Sequence, residues 1–152
     1  MLCPEFRCSV FLPVPPAAAY AFHLDPSNLR RISPGWIPVD RLSVPSPLRV
    51  GSRLEIRVRA LGVLPQTWEV EIAEMVPAQR LVDVALRGPY PQWRHTHSFR
   101  EVSGGTEMTD LVEYGLPFGA PARWLDPWLH RPFLAALFRF RHRKTVELLS
   151  VR

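Results

Sequence analysis

Two histidines stand one residue apart in Trp93-Arg94-His95-Thr96-His97-Ser98-Phe99. In an extended chain the period of two sends Trp93, His95, His97 and Phe99 to one face and Arg94, Thr96, Ser98 and Arg100 to the other. A sheltered strand face built from two aromatic rings and two imidazoles, with no Val, Ile or Leu, reads as the wall of a polar-lined pocket rather than as plain core. The segment Glu107 to Leu116 alternates too, and the Gly-rich stretch Ser103-Gly104-Gly105-Thr106 between them reads as a hairpin loop. Pairing Val102 with Glu107 predicts Phe99 opposite Asp110, His97 opposite Val112 and His95 opposite Tyr114. Asp110 is then diagonal to His97, about 7 Å across the strands. A slip of one residue would turn that carboxylate to the other face.

This set fits several chemistries. A histidine oriented by Asp110 titrates near neutrality, and with Tyr114 donating to a developing oxyanion it would suit a cyclase or dehydratase, with His95, His97 and Asp110 as catalytic candidates. No nucleophile motif, phosphate loop or cofactor fingerprint accompanies them, so binding rather than catalysis is expected, with no cofactor. His95 and His97, with Asp110 as a third ligand, have the donor types for Zn or Fe(II). A His-x-His pair nevertheless falls short of three or four converging ligands, and no metal is expected. The favoured reading is a cavity in which a few placed polar groups orient an otherwise apolar molecule. Its lining is expected to include Trp68, Trp93, His95, His97, Phe99, Asp110 and Tyr114, with Leu137, Phe138 and Arg141 from a C-terminal helix. A structural polar network that only fixes the helix would use His95, His97, Asp110, Tyr114 and Arg141.

The elements that must position them follow from periodicity and proline. Glu5 to Leu12 reads as a strand, Ala17 to Leu24 as a helix broken by Asp25-Pro26, and Ser27 to Ile32 as a second short helix. A proline-rich extended stretch runs from Trp36 to Arg49. Strands are then expected near Ser52 to Ala60, Gln66 to Met75, Gln79 to Leu86, Gln92 to Val102 and Glu107 to Leu116, joined by short connections that imply an antiparallel meander. After Pro117-Phe118-Gly119 the pattern turns helical, with an uninterrupted stretch from Phe133 to about Leu149. Leu134, Leu137, Phe138, Arg141, Thr145 and Leu148 share one face of it. Arg141 is expected to pair inward with a carboxylate such as Asp110 or to snorkel to the edge, and the rest of the run Arg139 to Lys144 to lie on the surface.

The 152 residues fit one domain, 1–152, of α+β class, a curved antiparallel sheet of about seven strands with a long helix on it. The net charge of +5 is carried almost wholly by arginine. Arg53, Arg57 and Arg59 alternate with Leu54, Ile56 and Val58, a pattern of a solvated sheet face rather than a nucleic-acid platform, which would interleave exposed aromatics. Cys3 and Cys8 point to opposite faces of the first strand, against a mutual disulfide. Without a bilayer-length apolar run or a leader-like N-terminus, a cytoplasmic location is expected. Trp124, Leu125, Trp128, Leu129 and Phe133 precede the basic run, so transient contact with an anionic membrane is a further expectation.

Read end to end, the chain resembles the START-like, pollen-allergen-like superfamily abbreviated SRPBCC, and within it the small bacterial proteins. The resemblance is carried by Phe6 to Asp25, Pro26-Ser27-Asn28-Leu29, Ile32-Ser33-Pro34, Gly88-Pro89-Tyr90, and Trp93, His95, His97 and Phe99. Thr106, Met108, Asp110, Tyr114, Pro117 and Arg141 complete it. It implies the helix-grip order β-α-α-β-β-β-β-β-β-α and an apolar cavity under the last helix, used elsewhere in the superfamily for lipids, polyketides, hormones and quinones. Ligand identity does not carry over, because one fold hosts many functions.

Overall fold

Prolines cut the first third of the chain into short elements. In the computed structural model, which describes residues 3–118 and 120–151, strand β1 spans Glu5–Leu12 and helix α1 spans Pro16–Leu24, with proline in its first turn, where the missing N–H has no partner to lose. The Asp25 carboxylate accepts hydrogen bonds from the Ser27 backbone N–H (3.0 Å) and hydroxyl (2.6 Å), turning the chain into the four-residue helix α2, Asn28–Arg31. The proline-rich stretch contributes only β2, Val39–Ser43. Gly119 lies outside the described residues.

The alternating segments form β3 (Arg53–Ala60), β4 (Leu64–Val76), β5 (Arg80–Arg87), β6 (Trp93–Val102) and β7 (Gly105–Tyr114). All pairings are antiparallel, and the seven strands run β1-β7-β6-β5-β4-β3-β2, a meander whose first strand closes on its last. The convex face is charged, with Arg53 bridging Glu69 and Glu71 and Arg59 bridging Asp40. The concave face holds a core in which Leu12, Ala19, Tyr20, Ile72, Phe99 and Met108 are buried together.

The β6–β7 hairpin is tighter than the glycine count predicts. Its loop is the two residues Ser103-Gly104, with Gly104 at φ +81°, and Val102 pairs with Gly105. Gly105 belongs to the strand because β1 passes over it: a Cβ there would lie 2.2 Å from the Leu12 carbonyl oxygen. The register is therefore two residues from the expected one. His97 faces Asp110 directly, His95 faces Val112, Phe99 faces Met108 and Trp93 faces Tyr114. An even shift keeps every side chain on its predicted face, so Asp110 remains on the concave side and comes closer to the histidines.

Helix α3 runs His130–Ser150, starting three residues before the expected Phe133 because Pro132 falls in its first turn, where it displaces no helical hydrogen bond. It buries Leu134, Leu137, Phe138, His142 and Thr145. Phe138 packs on Phe6 of β1 (ring centroids 5.5 Å apart), and Leu137 packs with Ile37 and Val58 towards the other edge of the sheet. Between helix and sheet a space remains.

Candidate functional site: a cavity with a histidine–aspartate end

The space under α3 is a cavity of about 420 Å³. From β3 and β4 it receives Leu54, Ile56, Val58, Trp68, Val70 and Ile72; from β5, β6 and β7 it receives Asp83, Trp93, His95, His97 and Asp110. All five histidines of the chain line it: His23 from α1, His95 and His97 from β6, and His130 and His142 from α3. Residues dispersed over more than a hundred positions of sequence thus meet at one surface.

Asp110 is the hub. It is 2% exposed, and three imidazoles reach it: His95 Nε2 lies 2.8 Å from Oδ1, His97 Nδ1 2.6 Å from Oδ1, and His142 Nε2 2.5 Å from Oδ2. The His97 contact is off the line of the ring N–H and leaves Nδ1 without a hydrogen bond, so it is a charge contact only. Burial alone would raise the Asp110 pKa. The charge of His97 and the hydrogen bonds of His142 and His95 outweigh it and hold the carboxyl well below the usual range. As an ionised acceptor, Asp110 takes N–H donation from His95 and His142.

Around the hub the other groups are out of balance. Asp83, directly across from His95 in the β5–β6 ladder, has a pKa pushed up to about 6 by burial against the opposing pull of His97 and Arg141. His97 is pushed down by burial and by its neighbour His95. His23, whose ring sits 4.9 Å from that of His97, is lowered to about 4, chiefly by burial and then by His97. Arg141 reaches the cavity with its guanidinium 5.6 Å from the Phe138 ring centroid, and its buried Nε has no hydrogen-bond partner.

Eight of the ten residues named from the sequence as ligand-binding line the cavity: Trp68, Trp93, His95, His97, Asp110, Leu137, Phe138 and Arg141. Phe99 does not, because it is buried edge-on against Tyr20 at 5.8 Å. Nor does Tyr114. Its hydroxyl donates to Asp126 at 2.7 Å, so it has no role as an oxyanion donor in the cavity. Arg141 does not pair with Asp110, whose oxygens are taken by imidazoles. Asp83, His23 and His142 also line the cavity and are not among the residues expected from the sequence. His142 follows Phe138 by four and Leu134 by eight, nearer the centre of the buried face than Arg141 is, so helical spacing alone separates it from the surface run. Phe133, counted among the membrane-facing residues, instead packs on Trp36 at 5.4 Å, while Trp124, Leu125, Trp128 and Leu129 are exposed.

Residues 12–138 match the family described as polyketide cyclase/dehydrase and lipid transport. The chain belongs to this family. No curated protein matches it in sequence. Among solved structures it is similar to TTHA0849 from Thermus thermophilus, with a TM-score of 0.73, 21% identity, and coverage of 95% of this chain and 99% of that one. Protein CV1439 from Chromobacterium violaceum superposes with a TM-score of 0.74 at 19% identity, covering 95% and 96%. The di-domain ARO/CYC StfQ from the steffimycin biosynthetic pathway gives 0.75 at 12% identity, covering 98% of this chain and 52% of that one. At these identities the likeness is one of fold. The family's helix-grip architecture accounts for the cavity, and this chain's own residues decide what enters it. Among the described residues no helix is long and apolar enough to cross a membrane.

Proposed function

We propose that this member of the polyketide cyclase/dehydrase and lipid-transport family binds a small, mainly apolar molecule carrying one anionic or strongly accepting group. The observation that carries the reading is a two-ended cavity with an unpaired cation in its wall: aliphatic and tryptophan side chains on one side, imidazoles and carboxylates on the other, and the unpartnered Nε of Arg141. A buried guanidinium N–H without an acceptor is costly. A ligand carboxylate, phenolate or enolate supplies the acceptor, while the apolar body displaces water from Ile56, Val58 and Trp68. At the roughly 30 Å³ occupied by a water-sized unit, the cavity admits on the order of 15 non-hydrogen atoms.

Native mass spectrometry of the protein purified without denaturation tests this. A mass increment that organic extraction removes, and that rebinds in one copy, is the expected outcome. A protein that carries no such increment and takes up no apolar acid at micromolar concentration sinks the reading.

A second reading, acid–base catalysis of a cyclisation or dehydration, rests on His97. Both nitrogens of His95 face carboxylates, Asp110 at 2.8 Å and Asp83 at 3.5 Å, which leaves His97 as the cavity-lining imidazole of β6 set against Asp110, beside His142 from α3. Conversion of a reactive poly-β-ketone that is lost in His97→Gln and kept in His130→Gln supports it, and equal rates in both variants remove it.

A further inference from the structure

We infer that Asp83, His95 and His97 form a binding site for one divalent transition-metal ion of the zinc or iron(II) type, at the polar end of the cavity. The starting point is a conflict between lone pairs. His95 Nε2 donates its proton to the ionised Asp110 at 2.8 Å, so its Nδ1 presents a lone pair, and that lone pair faces Asp83 Oδ2 at 3.5 Å. Two acceptors held face to face repel unless a proton or a cation lies between them. Two ligands bound at about 2.1 Å in a tetrahedral array stand ~3.4 Å apart, which is the separation seen here.

The third ligand is in place. Donor atoms of Asp83, His95 and His97 all lie within 4.8 Å of one another, and the three residues line the open cavity rather than the packed core. Asp83 and His95 are direct cross-strand partners, and His97 is the next residue on the same face of β6, so the backbone fixes the triangle. Asp110 completes the arrangement from behind. It accepts the Nε2–H hydrogen bond of His95, the carboxylate–histidine support that orients an imidazole towards a metal, and stands 2.6 Å from Nδ1 of His97 as a charge contact. The sequence suggested Asp110 itself as the third ligand, but the Asp110 oxygens already accept hydrogen bonds from His95 and His142, and the carboxylate that clusters with the free nitrogen of His95 is Asp83.

Two imidazoles and one carboxylate, with remaining coordination positions open to a cavity, form the donor set suited to Zn(II) and Fe(II). A second group, Cys8, Asp110 and His142, also lies within 4.8 Å. It is a poorer candidate because His142 Nε2 already hydrogen-bonds Asp110 and the Cys8 thiol, raised to about 12 chiefly by burial, holds its proton. A dipositive ion would neutralise the Asp83 and Asp110 carboxylates and leave the Arg141 guanidinium uncompensated, a net charge of about +1 at this end of the cavity.

The site does not depend on an apolar ligand, so it is tested with metal alone. The untagged, EDTA-treated protein is titrated with Zn(II) by calorimetry and with Co(II) by visible absorption. Expected are one equivalent of Zn(II), Co(II) d–d bands of a low-coordinate nitrogen/oxygen site, and paramagnetically shifted ring protons from His95 and His97. Asp83→Asn and His97→Gln should each weaken Zn(II) binding at least tenfold with unchanged far-UV circular dichroism, and Cys8→Ala should bind as the parent does. Absence of saturable one-to-one binding overturns the inference. So does binding that Cys8→Ala weakens and Asp83→Asn leaves intact, which would place the ion at the other cluster.

Discussion

The two halves of one concave sheet face are lined by opposite chemistries. β3 and β4 present Leu54, Ile56, Val58, Trp68, Val70 and Ile72, while β5, β6 and β7 set Asp83, His95, His97 and Asp110 among Leu81, Trp93 and Met108, and the same helix covers both. Helix α3 follows the division: Leu137 lies with Val58, whereas His142 reaches Asp110. The apolar half can lose a contact at moderate cost, because its atoms need no partners. The polar half depends on a single acceptor, Asp110, and its members satisfy each other or nothing. An apolar pocket by itself would store any hydrophobic molecule; on the proposed reading the polar end would restrict which molecules fit and in which direction.

The largest effect that would break this comparison is removal of the hub. Asp110→Ala leaves His95 and His142 without their acceptor and His97 without its counter-charge, and should destabilise by about 3–5 kcal/mol, against well under 1 kcal/mol for a solvated aspartate. Urea unfolding measures it, and an unchanged midpoint would show that the cluster is not a mutually dependent network.

Protonation sharpens the contrast next. Asp83 has its pKa raised to about 6, so its contribution to stability is present below the ordinary carboxylate pKa and is lost as pH rises through 6. The stability of Asp83→Asn relative to the metal-free parent should therefore improve by about 2 kcal/mol from pH 4 to pH 8. His23 acts in the opposite sense. Lowered to about 4, it resists a proton that the unfolded chain takes up below about 6.5, so stability is lost as pH falls from there to 4. His23→Gln should flatten that acid limb. Parallel pH profiles for both variants and the parent would mean that neither group is buried as described.

Filling the apolar half tests its share of the cavity. Val58→Phe, whose added ring enters the space, should weaken ligand binding at least tenfold, with a stability change of about 1–3 kcal/mol at most. An undiminished affinity would place the ligand elsewhere.

The smallest expected effect concerns the exposed rings before α3. Trp124 and Trp128 are 85% and 83% exposed beside Leu125 and Leu129. Weak flotation with vesicles that grows with anionic lipid and falls in Trp124→Ala/Trp128→Ala is expected, from interfacial rings plus about 1 kcal/mol for each basic residue near the surface. Equal absence of binding to neutral and anionic vesicles removes membrane contact.

Much of this was legible in the sequence. Strict alternation in Trp93 to Phe99 and Glu107 to Leu116 fixed which faces carry the histidines and Asp110, and prolines marked the ends of β1 and α1. What was not legible was set by contacts distant along the chain. The passage of Leu12 over Gly105 shortened the hairpin and moved His97 opposite Asp110. Asp83 sits beside a bulge between Ile72 and Glu74 in β4, in a stretch where Leu81 and Val82 are both buried, so its face could not be read from alternation. His142 was hidden by its charged neighbours Arg141, Arg143 and Lys144, although its spacing from Leu134 and Phe138 marked it as inward.

On the proposed reading, Arg141 and the aliphatic half hold the two ends of one molecule. Calorimetric titration of the parent and of Arg141→Gln with an aromatic or medium-chain carboxylate and with its methyl ester tests this directly. A charge-assisted hydrogen bond contributes about 1.5–3 kcal/mol, so the parent should prefer the acid over the ester by roughly 10- to 100-fold. Arg141→Gln should bind both with the ester's affinity while unfolding at the parent's midpoint. Equal affinity for acid and ester in the parent, or an acid preference that survives in Arg141→Gln, would contradict it.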